Sequence, residues 1–277
     1  MWPLDGRRGD VIRIGAYALE LWRGSSSGLN LIAREALPQR GSLYDVQAIV
    51  EPLRALARHA VRSRASLVLE SAFAPTLLAD TGGVLWNPQQ VEALLRHRFG
   101  LAYGGPDASV AAWKIRTDYR FGERHALGFA MPAAAEAALL ESARSANLTV
   151  TGWFPALAWG LGRFAPWRKW ARRTGWWVWS EQDRRLLAGV AGGRVEALNP
   201  AVPVQTTMAE LERTIVTEGL RSGIEALQSP IGAAHWSTGE GLAGDSGRLQ
   251  RFFMESVEAQ TGHSASNEMR ALKAAAG

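Results

Sequence analysis

The feature that most limits the fold of this chain is a pattern of three short strands followed by an amphipathic helix, which occurs twice. The first copy spans residues 11–60, and the second begins about 165 residues after the first, at Trp176. The two copies share the order of their elements but not their residues, so the repeat is one of architecture. Two such units predict an α/β protein whose two halves have related topologies.

In the first copy, short apolar runs are separated by turn residues, as in a β-meander. The turns are at Gly15 and in the glycine- and serine-rich residues 24–28. A capping box at Ser42 and Asp45 then predicts a helix, in which Pro52 lies either at a kink or in the true first turn. The predicted strands are residues 11–14, 18–22, 29–36 and, after the helix, 67–70.

The second copy has the same order of elements. Strands are predicted at residues 176–179, 185–190 and 194–198. Thr207 and Glu210 form a second capping box, which predicts the start of a helix. The apolar face of that helix is predicted to consist of Leu211, Ile215, Leu220 and Ile224.

The remaining segments predict further α/β material and a tail. Asn87 and Pro88 begin a predicted helix that ends at Gly100, and Pro132 begins another. Strands are predicted at residues 111–117, 126–131 and 148–154, followed by a short helix over 155–161. This gives a first subdomain over 1–154, a second over 155–229, and a flexible or weakly helical tail over 230–277, in which only residues 249–257 are amphipathic.

The composition excludes several kinds of chemistry. There is no cysteine, which excludes disulfides, thiolate metal sites and a cysteine nucleophile. No nucleophile elbow or Walker loop is present, and none of the five histidines has a zinc-site spacing. We therefore predict no catalytic, cofactor-binding or metal-ligating residue. No apolar run reaches the roughly 18 residues that span a bilayer, and residues 1–10 are polar, so we expect a chain that is neither exported nor membrane-spanning.

Four segments together carry a family resemblance. Residues 11–15 and 19–22 resemble the first hairpin of PilM-type pilus-assembly proteins and of the cytoplasmic domain of the type II secretion L protein. Residues 152–157 resemble the strand-to-helix passage before their second half, 176–195 their second hairpin, and 218–223 a helix end. The resemblance implies an actin-like ATPase (ribonuclease H-like) fold with two β-β-β-α halves.

The chain departs from this superfamily at its nucleotide site. Nucleotide-binding members hold phosphates in two hairpins, each with an acidic residue one position from a glycine. Here the acidic position of the first hairpin is Arg13 and the hydroxyl position is Ala16, although Gly15 remains. The second turn, residues 180–184, has carboxylates but no glycine, so its side chains would block access to the backbone amides. Residues 239–241 lie too far into the polar tail to serve as the ribose-binding glycines. These departures predict a degenerate nucleotide site, no cofactor and no ATPase activity.

Residues 142–180 contain no Asp or Glu but hold six cations and seven of the twelve tryptophans. Trp176 and Trp179 are predicted to fill the core or flank a strand. The basic connector that follows the short helix is predicted to be an exposed contact surface for a protein partner or for acidic lipid. Its residues are Arg163, Trp167, Arg168, Lys169, Trp170, Arg172 and Arg173.

The resemblance implies a non-catalytic cytoplasmic scaffold, peripheral at the inner membrane, in a type IV pilus or type II secretion platform. Its implied partners are a bitopic inner-membrane protein and an assembly ATPase. One alternative is an active ATPase or sugar-kinase-like enzyme that uses Glu20 or Asp183. Another is a nucleic-acid-binding protein that uses the basic connector, although a net charge of +5 is too slight to favour it.

Overall fold

The chain folds around three β-sheets, as seen in a computed structural model. Two sheets have five strands each, and a smaller one has three. The structure describes residues 10–25, 28–41, 45–60, 64–103, 112–163, 174–236, 242, 244 and 246–253.

The first five-stranded sheet has the order β3-β2-β1-β4-β8. β1 and β2 form an antiparallel hairpin, and β4 pairs in parallel with the other side of β1, so a crossover connection must lead to β4. A short 3-10 helix (Val46–Ile49) and helix α1 (Val50–Ala57) provide the crossover, with Pro52 in the first turn of α1. The strands are β1 (Asp10–Ile14), β2 (Ala18–Gly24), β3 (Leu29–Ala36), β4 (Arg64–Leu69) and β8 (Thr149–Pro155).

The second five-stranded sheet repeats this layout in the order β11-β10-β9-β12-β13. β9 is antiparallel to β10 and parallel to β12, as β1 is to β2 and β4. Helix α5 (Met208–Ser222) provides the crossover. The strands are β9 (Gly175–Ser180), β10 (Arg184–Ala191), β11 (Arg194–Pro203), β12 (Ile231–His235) and β13 (Leu249–Phe253). The prediction of two related β-β-β-α halves is therefore confirmed.

An insertion in the first half forms the three-stranded sheet, in the order β5-β7-β6. Its elements are β5 (Thr76–Asp80), α2 (Pro88–Tyr103), β6 (Trp113–Asp118) and β7 (His125–Pro132). Helix α3 (Ala133–Ser145) then leads to β8, and α4 (Ala156–Arg163) leads towards the second half. Strand β5 was not predicted.

The two large sheets share an apolar core in which tryptophan rings meet. The ring centroid of Trp236 lies 5.0 Å from that of Trp159, 5.6 Å from that of Trp22 and 6.0 Å from that of Trp179. Residues alternate between faces along β9, so Trp177 and Trp179 face this core while Trp176 packs against the α5 side. The prediction that the strand tryptophans fill the core is confirmed.

Local signals explain where α5 begins and ends. The Thr207 side chain accepts a hydrogen bond from the backbone of Glu210, whose side chain accepts one from the Thr207 backbone. Gly223 ends the helix with φ 73°, a conformation that glycine adopts without steric cost. Leu211 and Ile215 are buried, but Leu220 is 82% exposed, so its predicted place on the apolar face is wrong. Gly219 takes the buried position instead, where an added Cβ would lie 2.7 Å from the Cβ of Ala226.

Two other boundaries differ from the sequence-based expectation. Helix α2 continues through Gly100 to Tyr103, whose ring packs on that of Phe99 with centroids 6.2 Å apart. A glycine inside a helix costs only about 1 kcal/mol, and this packing outweighs it. Ser42 of the first predicted capping box lies outside the described residues, and the Asp45 side chain makes no capping hydrogen bond.

The expectation of a flexible or weakly helical tail is wrong for residues 231–235 and 249–253. β12 is an interior strand of the second sheet, between β9 and β13, and β13 is an edge strand. β12 carries small residues because large tryptophans fill the space around them. A segment rich in Gly and Ala has no strand pattern in the sequence, so β12 was not predicted. Residues 254–277 and the glycines at 239 and 241 lie outside the described residues. Among the described residues, no helix is long and apolar enough to cross a membrane.

Candidate functional site

The turns of the β1–β2 and β9–β10 hairpins contact each other between the two halves, where the resemblance implies a nucleotide cleft. The side chain of Gln182, in the second turn, reaches the backbone of the first. Its Oε1 accepts hydrogen bonds from the amides of Tyr17, at 2.8 Å, and Ala18, at 2.9 Å. Its Nε2 donates to the carbonyl of Ala18 at 3.1 Å. The amides of the first hairpin therefore already have an acceptor from the chain itself.

Gly15 permits this close approach. A Cβ added at Gly15 would lie 2.3 Å from Cδ of Gln182, closer than any real contact. The retained glycine therefore has a structural role here, because it leaves room for the carboxamide of the opposite hairpin. The prediction that side chains of the second turn block that turn's own amides stays a prediction. The structure shows instead that Gln182 of the second turn covers two amides of the first hairpin.

Three further contacts fasten the same turn to the first half. Glu181 accepts hydrogen bonds from the backbone amide of Ser71, at 3.0 and 3.1 Å, and from the Ser71 hydroxyl at 3.0 Å. The amide of Gln182 donates to Glu70 Oε2 at 3.0 Å. Asp183 forms an ion pair with Arg40. We call this set of contacts, made by residues 181–183, the hairpin latch.

Arg13 lies directly behind the latch and is fully buried. Its Nη1 lies 3.0 Å from Glu20 Oε2, and its Nε donates to Glu70 Oε1 at 2.6 Å. Its guanidinium carbon lies 5.0 Å from the ring centroid of Trp236. A cation thus occupies the position where the resemblance implies an acidic residue, and it neutralises the carboxylates around it.

Three carboxylates approach one another at the latch: Glu70, Glu181 and Asp183 have ligand atoms within 4.8 Å of one another. Burial raises the pKa of Glu181 well above its usual value, and the nearby Glu70 carboxylate raises it further. The pKa of Asp183 is lowered, because hydrogen bonds from Arg184 and Arg40 outweigh its burial. Each of the three side chains is already held by a donor of the chain.

This arrangement does not fit a bound nucleotide and magnesium. A phosphate cannot reach the amides of Tyr17 and Ala18 while Gln182 fills that space. Glu20 and Asp183, the alternative candidates for a catalytic carboxylate, are held by Arg13 and by Arg40 with Arg184, respectively. We therefore derive no phosphate chemistry at this cleft.

The buried Glu181 carboxyl predicts a dependence of stability on pH. The pKa of Glu181 is raised in the folded state, so the protonated carboxyl stabilises the fold. This contribution to the free energy of unfolding is complete at a pH below the unfolded-state pKa and is lost as the pH rises through the folded-state pKa. Glu181→Gln keeps an acceptor for Ser71 but cannot ionise. In urea titrations from pH 5 to pH 9, the free energy of unfolding of Glu181→Gln minus that of the wild type should increase by up to about 1.4 kcal/mol per pH unit. A control change at the exposed Glu51 should not alter the wild-type profile, and parallel curves for wild type and Glu181→Gln would contradict the prediction.

Most of the predicted contact residues of the basic connector lie outside the described residues. Arg163 is the last residue of α4, and Trp167, Arg168, Lys169, Trp170, Arg172 and Arg173 lie outside the described residues. The contact role of these residues remains a prediction. Sequence reasoning also missed Glu70, Ser71 and Gln182, since nothing in a linear sequence shows that these residues meet across the two halves.

A second feature lies where strand β6 approaches strand β8. Each of these strands is at the end of its sheet and pairs with one neighbour among the described residues. Arg116 on β6 lies over the ring of Trp153 on β8, 4.1 Å from its centroid, and donates to the Trp153 carbonyl at 3.4 Å. Glu136 on α3 accepts from the Trp153 indole at 2.7 Å and pairs with Lys114. We call Lys114, Arg116, Glu136 and Trp153 the β6–β8 edge site.

The charge of this edge site is set by mutual contacts. Glu136 is buried, which raises its pKa, but hydrogen bonds from Lys114 and Trp153 outweigh that effect and lower the pKa overall. Lys114 remains largely exposed, as does Arg116. The site therefore offers two exposed cations beside two strands that each have one sheet neighbour among the described residues, which suits an extended peptide, while the Trp153 ring itself is only 3% exposed.

No protein-family model matches this chain, and no curated protein matches it. Solved structures do match. The structure described as the PilM-PilN type IV pilus biogenesis complex is 17% identical, with a TM-score of 0.51 over 81% of this chain and 68% of that chain. The cytoplasmic domain of EpsL, an inner-membrane component of the type II secretion system of Vibrio cholerae, is 12% identical. Its TM-score is 0.52 over 93% of this chain and 94% of that chain.

A third similar structure is a Bacteroides thetaiotaomicron protein of unknown function with an actin-like ATPase fold. It is 8% identical, with a TM-score of 0.53 over 86% of each chain. These three likenesses agree with the repeated sheet order and with the resemblance of the two hairpins. The chain therefore has the actin-like ATPase fold that the resemblance implies.

Proposed function

We propose that this chain is a non-catalytic component of the inner-membrane platform of a type IV pilus or type II secretion system, where it binds a membrane-protein partner from the cytoplasmic side. The observation that carries the proposal is the Gln182 carboxamide, which takes the place of a ligand on the amides of the first hairpin. The likeness to the PilM-PilN complex and to the EpsL cytoplasmic domain supports the choice of system.

Three features where the two hairpins meet support the proposed loss of catalysis. A triphosphate site needs free amides, a glycine-lined turn and a carboxylate that positions a metal-bound water. Here the amides are engaged by Gln182, the second turn lacks glycine, and Arg13 stands at the acidic position. A fold that no longer needs to open for nucleotide can act as a rigid frame for other proteins.

Partner binding is proposed at the β6–β8 edge site. An extended segment that adds to a free strand edge gains main-chain hydrogen bonds, and side-chain contacts give it specificity. The exposed Lys114 and Arg116 favour a segment with carboxylates. The basic connector, Arg163 to Arg173, is proposed as a further contact with acidic lipid or with an assembly ATPase.

The test is calorimetry of the purified full chain with peptides that represent the cytoplasmic segments of bitopic membrane proteins encoded by neighbouring genes. We expect one segment to bind equally well with and without magnesium-ATP. Magnesium-ATP alone should leave the thermal unfolding midpoint of the protein unchanged. Lys114→Glu with Arg116→Glu should weaken binding about tenfold or more, which corresponds to about 1.4 kcal/mol. The same reversal at Arg213 and Arg221, two exposed cations on α5, is the matched control.

Each result bears on one part of the proposal. ATP hydrolysis, or a midpoint raised by several degrees with magnesium-ATP, would overturn the loss of catalysis. If no segment binds, the platform role is wrong. If the edge-site variant binds normally but Trp167→Ala with Trp170→Ala does not, the partner contacts the connector and the edge-site assignment is wrong.

A further inference from the structure

One end of the three-stranded sheet presents two turns that lie side by side. The first comprises residues 81–87, between β5 and α2, and the second comprises residues 119–124, between β6 and β7. Together we call them the paired turns. They expose three large apolar side chains: Val84 is 58% exposed, Leu85 65% and Phe121 67%. An added Cβ at Gly122 would lie 3.3 Å from Leu85, so the two turns are in contact.

The paired turns are held by polar contacts that do not involve these apolar side chains. The amide of Thr81 donates to the carbonyl of Arg124 at 2.7 Å, and its hydroxyl contacts the same oxygen at 2.8 Å. The Tyr119 hydroxyl accepts from the amide of Gly122 at 3.2 Å and lies 3.5 Å from the carbonyl of Val84. These hydrogen bonds hold the turns through groups other than the side chains of Val84, Leu85 and Phe121.

The charges beside the apolar side chains are of both signs, and most of them are paired. Glu123 is paired with Arg194 at 2.8 Å, and Asp80 lies 3.7 Å from Arg124. Arg120, next to Phe121, is exposed and forms no ion pair among the described residues. Asp118, at the end of β6, shares Arg194 with Glu123 at 3.4 Å. Each carboxylate beside the paired turns therefore has an arginine partner, and Arg120 is a cation of these turns whose guanidinium has no carboxylate partner among the described residues. This is complementary to a surface of anionic headgroups.

We propose that the paired turns are a membrane-contact site, in which Val84, Leu85 and Phe121 enter the interfacial region of an anionic bilayer while Arg120 meets lipid phosphates. Three side chains on two turns are too few for a stable protein interface, which takes about 800 Å² from each partner. They suffice for reversible insertion, in which buried apolar area and attraction to anionic lipid add together. The site rests on the proposed location at the inner membrane, but it is separate from the β6–β8 edge site.

The test uses the absence of cysteine from the chain, which makes any introduced thiol a unique label. Phe121→Cys is labelled with an environment-sensitive fluorophore in the full-length protein. Leu220→Cys, an exposed position on α5 in the other half, is the matched control. Vesicles of phosphatidylcholine alone are compared with vesicles in which about a third of the lipid is phosphatidylglycerol. We expect a blue shift and increased intensity at position 121 with the anionic vesicles, and no change at position 220.

Sedimentation with the same anionic vesicles gives the second measurement. Leu85→Ser with Phe121→Ser should weaken binding of the unlabelled protein about tenfold or more. Leu101→Ser with Leu220→Ser, which removes two exposed leucines elsewhere, should leave binding unchanged. An unshifted label at position 121, equal shifts at both positions, or normal binding by the Leu85/Phe121 variant would overturn the proposal. Loss of a protein partner by that variant, with no vesicle binding by the wild type, would instead make the paired turns a protein-binding site.

The two proposals fail in different ways. The Leu85/Phe121 variant should bind the partner segment as the wild type does, because the β6–β8 edge site is unchanged. Normal segment binding with no vesicle contact would overturn only the membrane-contact site. Vesicle contact with no segment binding would overturn only the proposed partner role.

Discussion

Replacement of Trp236 with alanine should lower the free energy of unfolding by about 3–5 kcal/mol, the usual cost of deleting a large buried aromatic side chain. Trp236 is fully buried and lies against the rings of Trp22, Trp159 and Trp179. These rings come from both halves, so the cavity opens where the two sheets meet and cannot be closed by movement of one side chain. Urea denaturation followed by circular dichroism measures the loss.

Two variants make this expectation specific. Trp236→Phe keeps part of the aromatic packing and should cost less than Trp236→Ala. Trp86→Ala removes a half-buried indole that packs on the core beside the three-stranded sheet, away from the boundary between the halves, and should also cost less. If Trp236→Ala loses less than about 1 kcal/mol, the tryptophan cluster does not hold the halves together.

Arg13→Met should lower the free energy of unfolding by about 3–5 kcal/mol, because it leaves buried carboxylates without their cation. Glu70 and Glu20 lie 2.5 and 3.0 Å from the Arg13 guanidinium, and both are buried. Methionine fills much of the same volume, so the expected loss comes from charge and not from a cavity. Chemical denaturation at constant pH measures it.

The control for Arg13 is removal of the opposing charges. Arg13→Met combined with Glu20→Gln and Glu70→Gln should recover at least half of the lost stability, because no uncompensated charge stays buried. The exposed pair Arg144 and Glu141 on α3 provides a comparison, since Arg144→Met should cost less than about 1 kcal/mol. A triple variant no more stable than Arg13→Met would show that the arginine acts through packing and not through charge.

Local signals in the sequence predicted much of the fold. The capping box at Thr207 and Glu210 places the start of α5, and the turn at Gly15 places the first hairpin. Both signals depend on residues within a few positions of one another. β12 could not be predicted in this way, because its small residues are explained only by the tryptophans of neighbouring strands.

The candidate site was predictable in part. Arg13, and a second turn without glycine, indicated that the nucleotide site had changed. The identity of the replacement was not predictable, since Gln182 contacts residues 164 and 165 positions away. The same holds for Arg13 and Glu70, which are 57 positions apart. A charge reversal at one position is visible in a sequence, whereas the compensating carboxylate is found only in the folded chain.

The hairpin latch has a consequence for how the cleft responds to its surroundings. A cleft closed by a bound ligand is stabilised by RT ln(1 + [L]/Kd), so its population depends on the supply of that ligand. The latch is made of Glu181, Gln182 and Asp183, which are always present at the same effective concentration. Forming the contact between the two hairpins is therefore a unimolecular step that needs no second molecule.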